Sequence, residues 1–405
     1  MNPQTRFAGW SVAWTAFVVA VFAWGIGFYG PGVFLQTLHQ STGWPIAVIS
    51  AAVTLHFVVG ACIVAFLPEL HGALGIVRAT IAGAILTATG LVAWSMASAP
   101  WQLAPAAVIS GSGWAMTSGA ALNAMIAPWF DRDRPKAINL AFNGASIGGV
   151  VFTPLFVTLI ASIGFPATAL CLGSTIVLVV SLLAQRYLGL SPRDLGLMPD
   201  GRPLEATQAA AAAEKRLPRA VLMRTPEFAT LSAAFALALF AQVGVLSHLL
   251  ARLSPVFGAG RAAAIMSFTT IAAIAGRTLL GWLLGDRDRR GAASINFLVQ
   301  SVGVGLLCVA DTHLVLLIGC ALFGLGVGNV APLPTFIAQK EFHGQNVGTV
   351  VALVVAINQA VFAFAPAILG TIRDVTADYT AAFVVAAAAQ VLAALIVLAG
   401  RRGPA

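Results

Sequence analysis

Hydrophobic residues form long runs along most of the chain, and short polar segments separate these runs. Each run has at least the roughly 20 residues with which an α-helix crosses the hydrocarbon core of a bilayer. Only helices and closed barrels satisfy their backbone polar groups in lipid, and helix-length runs favour the all-α class. The pattern predicts twelve membrane-spanning helices, over residues 10–38, 45–67, 76–98, 101–127, 136–161, 165–186, 226–251, 261–284, 291–310, 313–338, 346–371 and 379–400.

A longer polar segment, 187–225, lies between the sixth and seventh runs. It predicts a cytoplasmic linker between two pseudo-symmetric six-helix bundles, residues 1–186 and 226–405. The fifth and eleventh runs are both rich in Gly and Ala, which allow helices to pack closely in lipid. Two parallel repeats around a site near the midplane are typical of secondary transporters.

Composition and charge agree with a multi-pass membrane protein. Of the 405 residues 59% are hydrophobic and 9% charged, whereas soluble domains have about 25% charged residues. The net charge of +8 does not indicate a nucleic-acid partner, because the basic residues lie in short loops. If the amino terminus is cytoplasmic, eighteen Lys and Arg residues fall inside and only Arg252, Arg261 and Arg373 fall outside. The positive-inside rule then predicts cytoplasmic termini, and we expect a bacterial inner membrane.

The sequence contains no pattern typical of an enzyme site. The four Cys residues lie in apolar runs without paired spacing, so neither a disulfide framework nor a metal site is predicted. We find no nucleophile and base pairing, metal-ligand spacing or phosphate-binding loop. We therefore expect no enzymatic activity and no cofactor, which argues against a membrane enzyme or sensor.

A single deeply placed cation, Arg277, interrupts the eighth run. Seven residues separate it from the end of the run at Leu284, which is roughly 10 Å along a helix. A charge at that depth costs on the order of 3 kcal/mol. The runs contain no Asp or Glu at such depth, so we expect an anionic substrate to bind the planar guanidinium. Alternatively, Arg277 extends to the cytoplasmic surface or bonds to helix carbonyls at an inner gate.

Four segments resemble a known family: FYGPGVFLQTLHQSTGWP at 28–45, APWFDRDRPKAINLAFNGASIGGVVFTPL at 127–155, SPRDLGLMPDG at 191–201 and AGRTLLGWLLGDR at 275–287. With them the whole chain resembles the major facilitator superfamily, and within it the monocarboxylate transporter and oxalate:formate antiporter branch. The resemblance implies two six-helix bundles that alternate access to a small organic anion, by proton symport or anion exchange. It also implies a monomer in the lipid bilayer.

The resemblance assigns loop motifs that control gating. After the second run they fall on Gly75 and Arg78, and after the eighth on Asp286 and Arg287. Mammalian monocarboxylate transporters carry an Asp four residues before the arginine of the eighth span, where this chain has Ala273. We therefore expect a different route for any coupled proton.

Polar residues on spans that line the cavity in this family are further substrate-binding candidates. Each would equally serve as an interhelical hydrogen-bonding group. They are Tyr29, Trp114, Asn143, Asn358 and Gln359.

Histidine is the remaining titratable side chain available within the runs. His248, near the outer end of the seventh span, is a candidate for anion binding and for carrying a proton, or else anchors its helix at the interface. His56 is a second proton candidate, or else forms a packing hydrogen bond. Asn329 with Pro332 and Pro334 predicts a kinked gating helix.

Together the patterns predict a secondary active transporter of a small organic anion, with a monocarboxylate as the first candidate. The alternative is an exporter of drugs or neutral metabolites with the same fold, in which Arg277 would be dispensable.

Overall fold

The structure, a computed structural model, describes residues 7–201, 217–284, 288–309, 312–342 and 346–401. The elements found there are helices, as the hydrophobic runs predict. The chain forms two compact units. The N-terminal unit consists of Met1–Phe34 and Val59–Ala211, and the C-terminal unit of Leu35–Val58 and Ala212–Ala405. The first part of the second span, up to Val58, therefore groups with the C-terminal unit, while the predicted domain bounds stay a prediction.

The helices of the first half follow the predicted spans. Their bounds are α1 Gly9–Phe22, a π-helical segment Ala23–Tyr29, α2 Gly30–Thr42, α3 Ile46–Ala65, α4 Leu67–Ser95, α5 Leu103–Thr117, α6 Gly119–Ile126, α7 Arg134–Ile163 and α8 Phe165–Tyr187. Short 3-10 turns cover Pro100–Gln102, Arg193–Leu195 and Pro199–Gly201.

The second half repeats this organisation. Its helices are α9 Arg219–Met223, α10 Pro226–Phe257, α11 Ala259–Leu284, α12 Arg289–Val309, α13 His313–Val327, α14 Leu333–Glu341, α15 Asn346–Phe362, α16 Ala365–Thr376 and α17 Thr380–Ala399.

Among the described residues, 10 helices are long and apolar enough to cross a membrane. This count takes the first span across its π-helical segment, as Gly9–Thr42, and the eleventh across α15 and α16, as Asn346–Thr376. The fourth and tenth predicted spans are not among the 10, and each is divided into two shorter helices. The fourth breaks at Ser118, between α5 and α6, and the tenth breaks between α13 and α14. The predicted kink near Asn329 is thus confirmed, whereas its gating role stays a prediction. The chain is a multi-pass membrane protein.

The first span contains a π-helical segment, Ala23–Tyr29, in its middle. Such segments are rare and often occur at functional sites. Two glycines permit close packing there, because a Cβ on Gly25 would collide with the Phe152 ring and one on Gly27 with the Trp114 indole. The segment therefore presents its backbone directly to aromatic side chains of neighbouring helices.

The segment after the second span is helical rather than the tight loop that the sequence suggested. Helix α4 begins at Leu67 and is interrupted at Gly75, where φ is 77° and ψ is 158°. Only glycine adopts this conformation readily. Gly75 thus sets the angle at which the third span begins, and the side chain of Arg78 is exposed just beyond it. The corresponding candidates Asp286 and Arg287 lie outside the described residues.

Two of the segments that resemble the family are bonded to each other in the N-terminal unit. The Asp200 carboxylate accepts hydrogen bonds from the backbone N–H groups of Asp131, Arg132 and Asp133, at 3.1, 2.8 and 3.3 Å. The Asp200 N–H donates to the Trp129 carbonyl at 2.9 Å. The polar segment after α8 therefore holds the turn that leads into α7.

Candidate functional site

Arg277 lies within α11, and its side chain is half-buried. Its Nε–H donates a hydrogen bond to the Gly328 carbonyl at 3.0 Å. Gly328 belongs to the turn between α13 and α14, where the tenth span is broken. This contact with a backbone carbonyl is the kind that the gate alternative predicted. It also fixes the plane of the guanidinium, which bidentate recognition of a carboxylate needs.

Glycines bring the backbone of α11 against that of α13. A Cβ on Gly276 would collide with the Leu325 carbonyl, and a Cβ on Gly328 would collide with the Ala273 carbonyl. Small residues of this kind let helices approach closely in lipid. The position of Arg277 relative to the turn after α13 is therefore fixed by backbone contact on both sides.

His248 is fully buried in α10 rather than exposed at an interface. Its Nε2 lies 2.9 Å from the Pro366 carbonyl, and its Nδ1 lies 3.3 Å from the Tyr379 hydroxyl. Because a carbonyl only accepts, Nε2 carries the proton and donates to Pro366. Nδ1 is then the ring nitrogen without a proton, so it accepts from the Tyr379 hydroxyl.

An ion pair lies beside the His248 cluster. Arg373 Nη1 lies 2.9 Å from Asp374 Oδ1, and the Arg373 guanidinium lies over the Tyr379 ring at 5.8 Å from its centroid. The cluster therefore contains one histidine, one phenol and one pair of opposite charges, all within the C-terminal unit.

Helices α3 and α16 cap each other at their first turns. The Ala47 N–H donates to Asp374 Oδ2 at 2.7 Å, and the Ala367 N–H donates to the Thr54 hydroxyl at 3.0 Å. Amides in the first turn of a helix have no partner within that helix, so each contact satisfies an otherwise open donor. The 327- and 313-residue separations of these pairs explain why the sequence alone gives no sign of them.

Asn358 and Gln359 are both buried in α15. Asn358 Oδ1 and Gln359 Nε2 have no hydrogen-bond partner within the described part of the chain. A buried amide group without a partner costs about 1–3 kcal/mol. Their role as substrate contacts stays a prediction, and the structure supplies one open acceptor and one open donor at adjacent positions.

In the N-terminal unit, the predicted residue Trp114 lies beside Trp24. The Trp114 ring lies 6.5 Å from Trp24, and the Phe142 ring lies 5.7 Å from it, in edge-to-face arrangements. Asn143 follows Phe142 in α7 and is exposed, while Tyr29 ends the π-helical segment and is half-buried. Trp24 was not among the predicted residues, although its position in the same run as Tyr29 could have indicated it.

His56 is buried in α3, and its ring lies 5.0 Å from that of Phe57 in an edge-to-face contact. The Phe57 ring in turn lies 5.7 Å from Phe362 at the end of α15. These contacts agree with a packing role, and the proton role of His56 stays a prediction.

A second buried cation, Arg290, was treated as a loop residue in the sequence. It is 2% exposed and binds Glu341 through both carboxylate oxygens, from Nε at 2.6 Å and from Nη2 at 2.8 Å. Further hydrogen bonds reach the Thr230 hydroxyl and the carbonyls of Val397 and Glu227. This buried group joins α10, α12, α14 and α17. It could not be predicted, because a loop cation and a buried cation look alike in the sequence at the end of an apolar run.

Comparison with known proteins agrees with a transporter. The family model of the Major Facilitator Superfamily matches residues 15–366. Monocarboxylate transporter 13 of Bos taurus is 26% identical over 389 residues, which cover 94% of this chain and 86% of the relative. Monocarboxylate transporter 13 of Rattus norvegicus is 27% identical over 314 residues, which cover 76% of this chain and 69% of the relative.

The fold resembles solved transporter structures. The crystal structure of the nucleoside transporter NupG matches with a TM-score of 0.73 and 12% identity, and the match covers 97% of this chain and 98% of that chain. This similarity shows the fold alone. The fold predicted from the sequence, twelve helices in two pseudo-symmetric bundles, is thereby confirmed.

Proposed function

We propose that this chain, which belongs to the Major Facilitator Superfamily and is a transporter rather than an enzyme, moves small organic anions across the membrane, with monocarboxylates as its substrates. Transport occurs by alternating access, in which a substrate site opens to each side of the membrane in turn. The observation that supports this specificity most is the orientation of Arg277 by the Gly328 carbonyl.

A guanidinium within an apolar helix is suited to a carboxylate. Its planar fork matches the two oxygens of a carboxylate, and the pair is stronger where water is excluded. Ionisable residues within membrane spans usually mark substrate or ion pathways. The relatives named monocarboxylate transporters support the same substrate class.

The test is uptake into proteoliposomes with labelled formate, acetate, lactate, pyruvate and benzoate, each measured with and without a pH gradient. The neutral methyl esters of these acids and a nucleoside are the controls. We expect saturable uptake of at least one acid and little uptake of the neutral compounds. Transport of the esters or the nucleoside with no uptake of any acid would favour the exporter of neutral metabolites instead.

Topology is a further part of the proposal. We expect reporter domains fused within 203–215 and after Ala405 both to report the cytoplasm, because the eighteen-to-three distribution of basic residues favours that orientation. A fusion within the short turn at Asp378, between α16 and α17, is the opposite control and should report the other side. An external signal from either of the first two fusions would contradict the proposed orientation.

Coupling is either proton symport or anion exchange, and His248 is the first candidate for a coupled proton. Both of its ring nitrogens are occupied in this structure, by Pro366 and Tyr379. Protonation of Nδ1 would turn it from an acceptor into a donor, and the Tyr379 O–H would have to turn away. The charge would arise beside the pair formed by Arg373 and Asp374.

For proton symport through His248, we expect His248→Gln to abolish accumulation driven by a pH gradient and to spare exchange of substrate for substrate. The Gln amide can donate to Pro366 and accept from Tyr379, so it preserves the hydrogen bonds and removes the titrating group. Tyr379→Phe is the matched variant, which removes the hydroxyl and keeps the histidine. Accumulation of substrate by His248→Gln at the wild-type level would exclude this histidine from coupling.

A further inference from the structure

We propose that Asn296 and Asn329 are positioning residues for Arg277, which they orient by fixing the carbonyl of Gly328. The proposal rests on the proposed role of Arg277 in binding a substrate carboxylate. It assigns a part in substrate recognition to two amides whose hydrogen bonds go to each other and to carbonyls at the end of α13.

The Gly328 carbonyl is available because of the sequence that follows it. In a continuous helix, this carbonyl would accept from the N–H four residues later. That residue is Pro332, which has no N–H. Arg277 Nε takes the open position at 3.0 Å. The Nε–H of the guanidinium is therefore held by a carbonyl that belongs to an irregular turn, so what fixes this turn also influences the direction of the side chain.

The two asparagines fix the turn from inside the C-terminal unit. Asn329 Nδ2 donates to Asn296 Oδ1 at 2.8 Å and to the Leu325 carbonyl at 3.1 Å. Asn296 Nδ2 donates to the Gly326 carbonyl at 3.2 Å. Both amides thus bind carbonyls at the end of α13, and the Gly326 carbonyl also accepts from the Asn329 N–H at 3.1 Å. The turn is thereby tied to α12 as well as to α11.

The position of the pair is directly linked to Arg277. Leu325, whose carbonyl accepts from Asn329, is also the residue against which Gly276 packs. Gly276 precedes Arg277 in α11. The Leu325 carbonyl therefore contacts the Asn329 amide and also the backbone of α11 next to Arg277. A shift of the turn away from α11 would lengthen the bond from Arg277 to Gly328 and rotate the guanidinium.

The pair is not arranged for stability alone. Asn296 is 7% and Asn329 is 5% exposed, and Asn329 Oδ1 has no hydrogen-bond partner among the residues that the structure describes. Burying an open acceptor is unfavourable, and apolar residues would avoid that cost. The geometry points to the orientation of the Gly328 carbonyl as the feature that requires amides here.

The test is a double-mutant cycle measured as KM for uptake of whichever acid the wild type transports fastest among formate, acetate, lactate, pyruvate and benzoate. We expect Asn296→Ala and Asn329→Ala each to raise KM about 3- to 10-fold, the range of one hydrogen bond. The same two substitutions are then made in the Arg277→Lys variant, which has no Nε–H to donate to Gly328. There they should change KM less than about 2-fold, because the effects of coupled residues are not additive.

Ser301→Ala is the matched control. Its hydroxyl, also on α12, donates to the Ala387 carbonyl at 2.9 Å, so the variant loses an interhelical hydrogen bond without touching the turn. We expect its KM to equal that of the wild type. If Asn296→Ala does not reach the membrane, Asn296→Ser replaces it in the double-mutant cycle. The serine hydroxyl keeps part of the polarity of the asparagine in a smaller volume.

The outcomes separate this proposal from the proposed function. If Arg277→Lys raises KM and the asparagine substitutions raise it by the same factor in both backgrounds, the pair has only a structural role and the positioning proposal is wrong. If Arg277→Lys has the KM of the wild type, or no acid is transported, the role of Arg277 fails and the positioning proposal fails with it.

Discussion

Replacing Arg277 with Ala is expected to lower the affinity for carboxylates by at least about 30-fold, because truncating one partner of a desolvated charge pair costs about 2–5 kcal/mol. Arg277→Lys should recover part of this loss, since an ammonium keeps the charge but not the planar fork. Both substitutions also remove the Nε–H that donates to the Gly328 carbonyl. The measurement is KM for uptake of the acids in proteoliposomes, together with binding measured by the ligand-dependent shift of the melting temperature.

The control for Arg277→Ala lies on the same helix. Arg261 is also in α11, and its side chain is exposed. We expect Arg261→Ala to remove one positive charge and to leave the affinity for carboxylates unchanged. Membrane yield should be preserved in both variants, because a cation within an apolar helix opposes insertion rather than favouring it. Normal carboxylate transport by Arg277→Ala would contradict the anchoring role, and the interpretation as an inner-gate residue would then be preferred.

The fold was predictable from the lengths of the hydrophobic runs because lipid leaves few alternatives to the helix. The interruptions were less predictable, and proline alone does not explain them. Pro154 and Pro255 lie inside the continuous helices α7 and α10, whereas the turn before Pro332 breaks the tenth span. In the first two cases neighbouring helices can accommodate the missing hydrogen bond. The break at Ser118 has no proline and could not be predicted from the residue pattern.

Residues of the candidate site were predictable only where a charged side chain lies within an apolar run. Arg277 was identified because a charge within an apolar run is costly. The turn that orients it was suggested by Pro332, but the bond from Arg277 to Gly328 joins residues 51 positions apart. Likewise, the sequence left open whether His248 binds an anion or a proton or anchors its helix at the interface, whereas the structure buries it against Pro366 and Tyr379. Contacts of this kind depend on how the helices pack together, which the lengths of the hydrophobic runs do not specify.

Arg290 shows the same limit for the stability of the protein. It ends a cluster of charged residues, where a solvated cation is the ordinary expectation. The structure instead gives it five hydrogen bonds, two of them to Glu341. The Glu341 side chain is 18% exposed, so the pair is largely shielded from water. Breaking such a pair by removing one partner costs about 3–5 kcal/mol, because the other charge stays buried.

We therefore expect Arg290→Ala to lower the free energy of unfolding by about 3–5 kcal/mol, measured by denaturation with sodium dodecyl sulfate in mixed micelles. The neighbouring Arg289 is half-buried and donates to the Phe336 carbonyl, so Arg289→Ala is the matched control and should cost about 1 kcal/mol. Because removing both charges avoids an unpaired ion, the double variant Arg290→Met and Glu341→Met should regain most of the lost stability. Equal stability of the two single arginine variants would show that the Arg290 bonds contribute no more than one surface hydrogen bond.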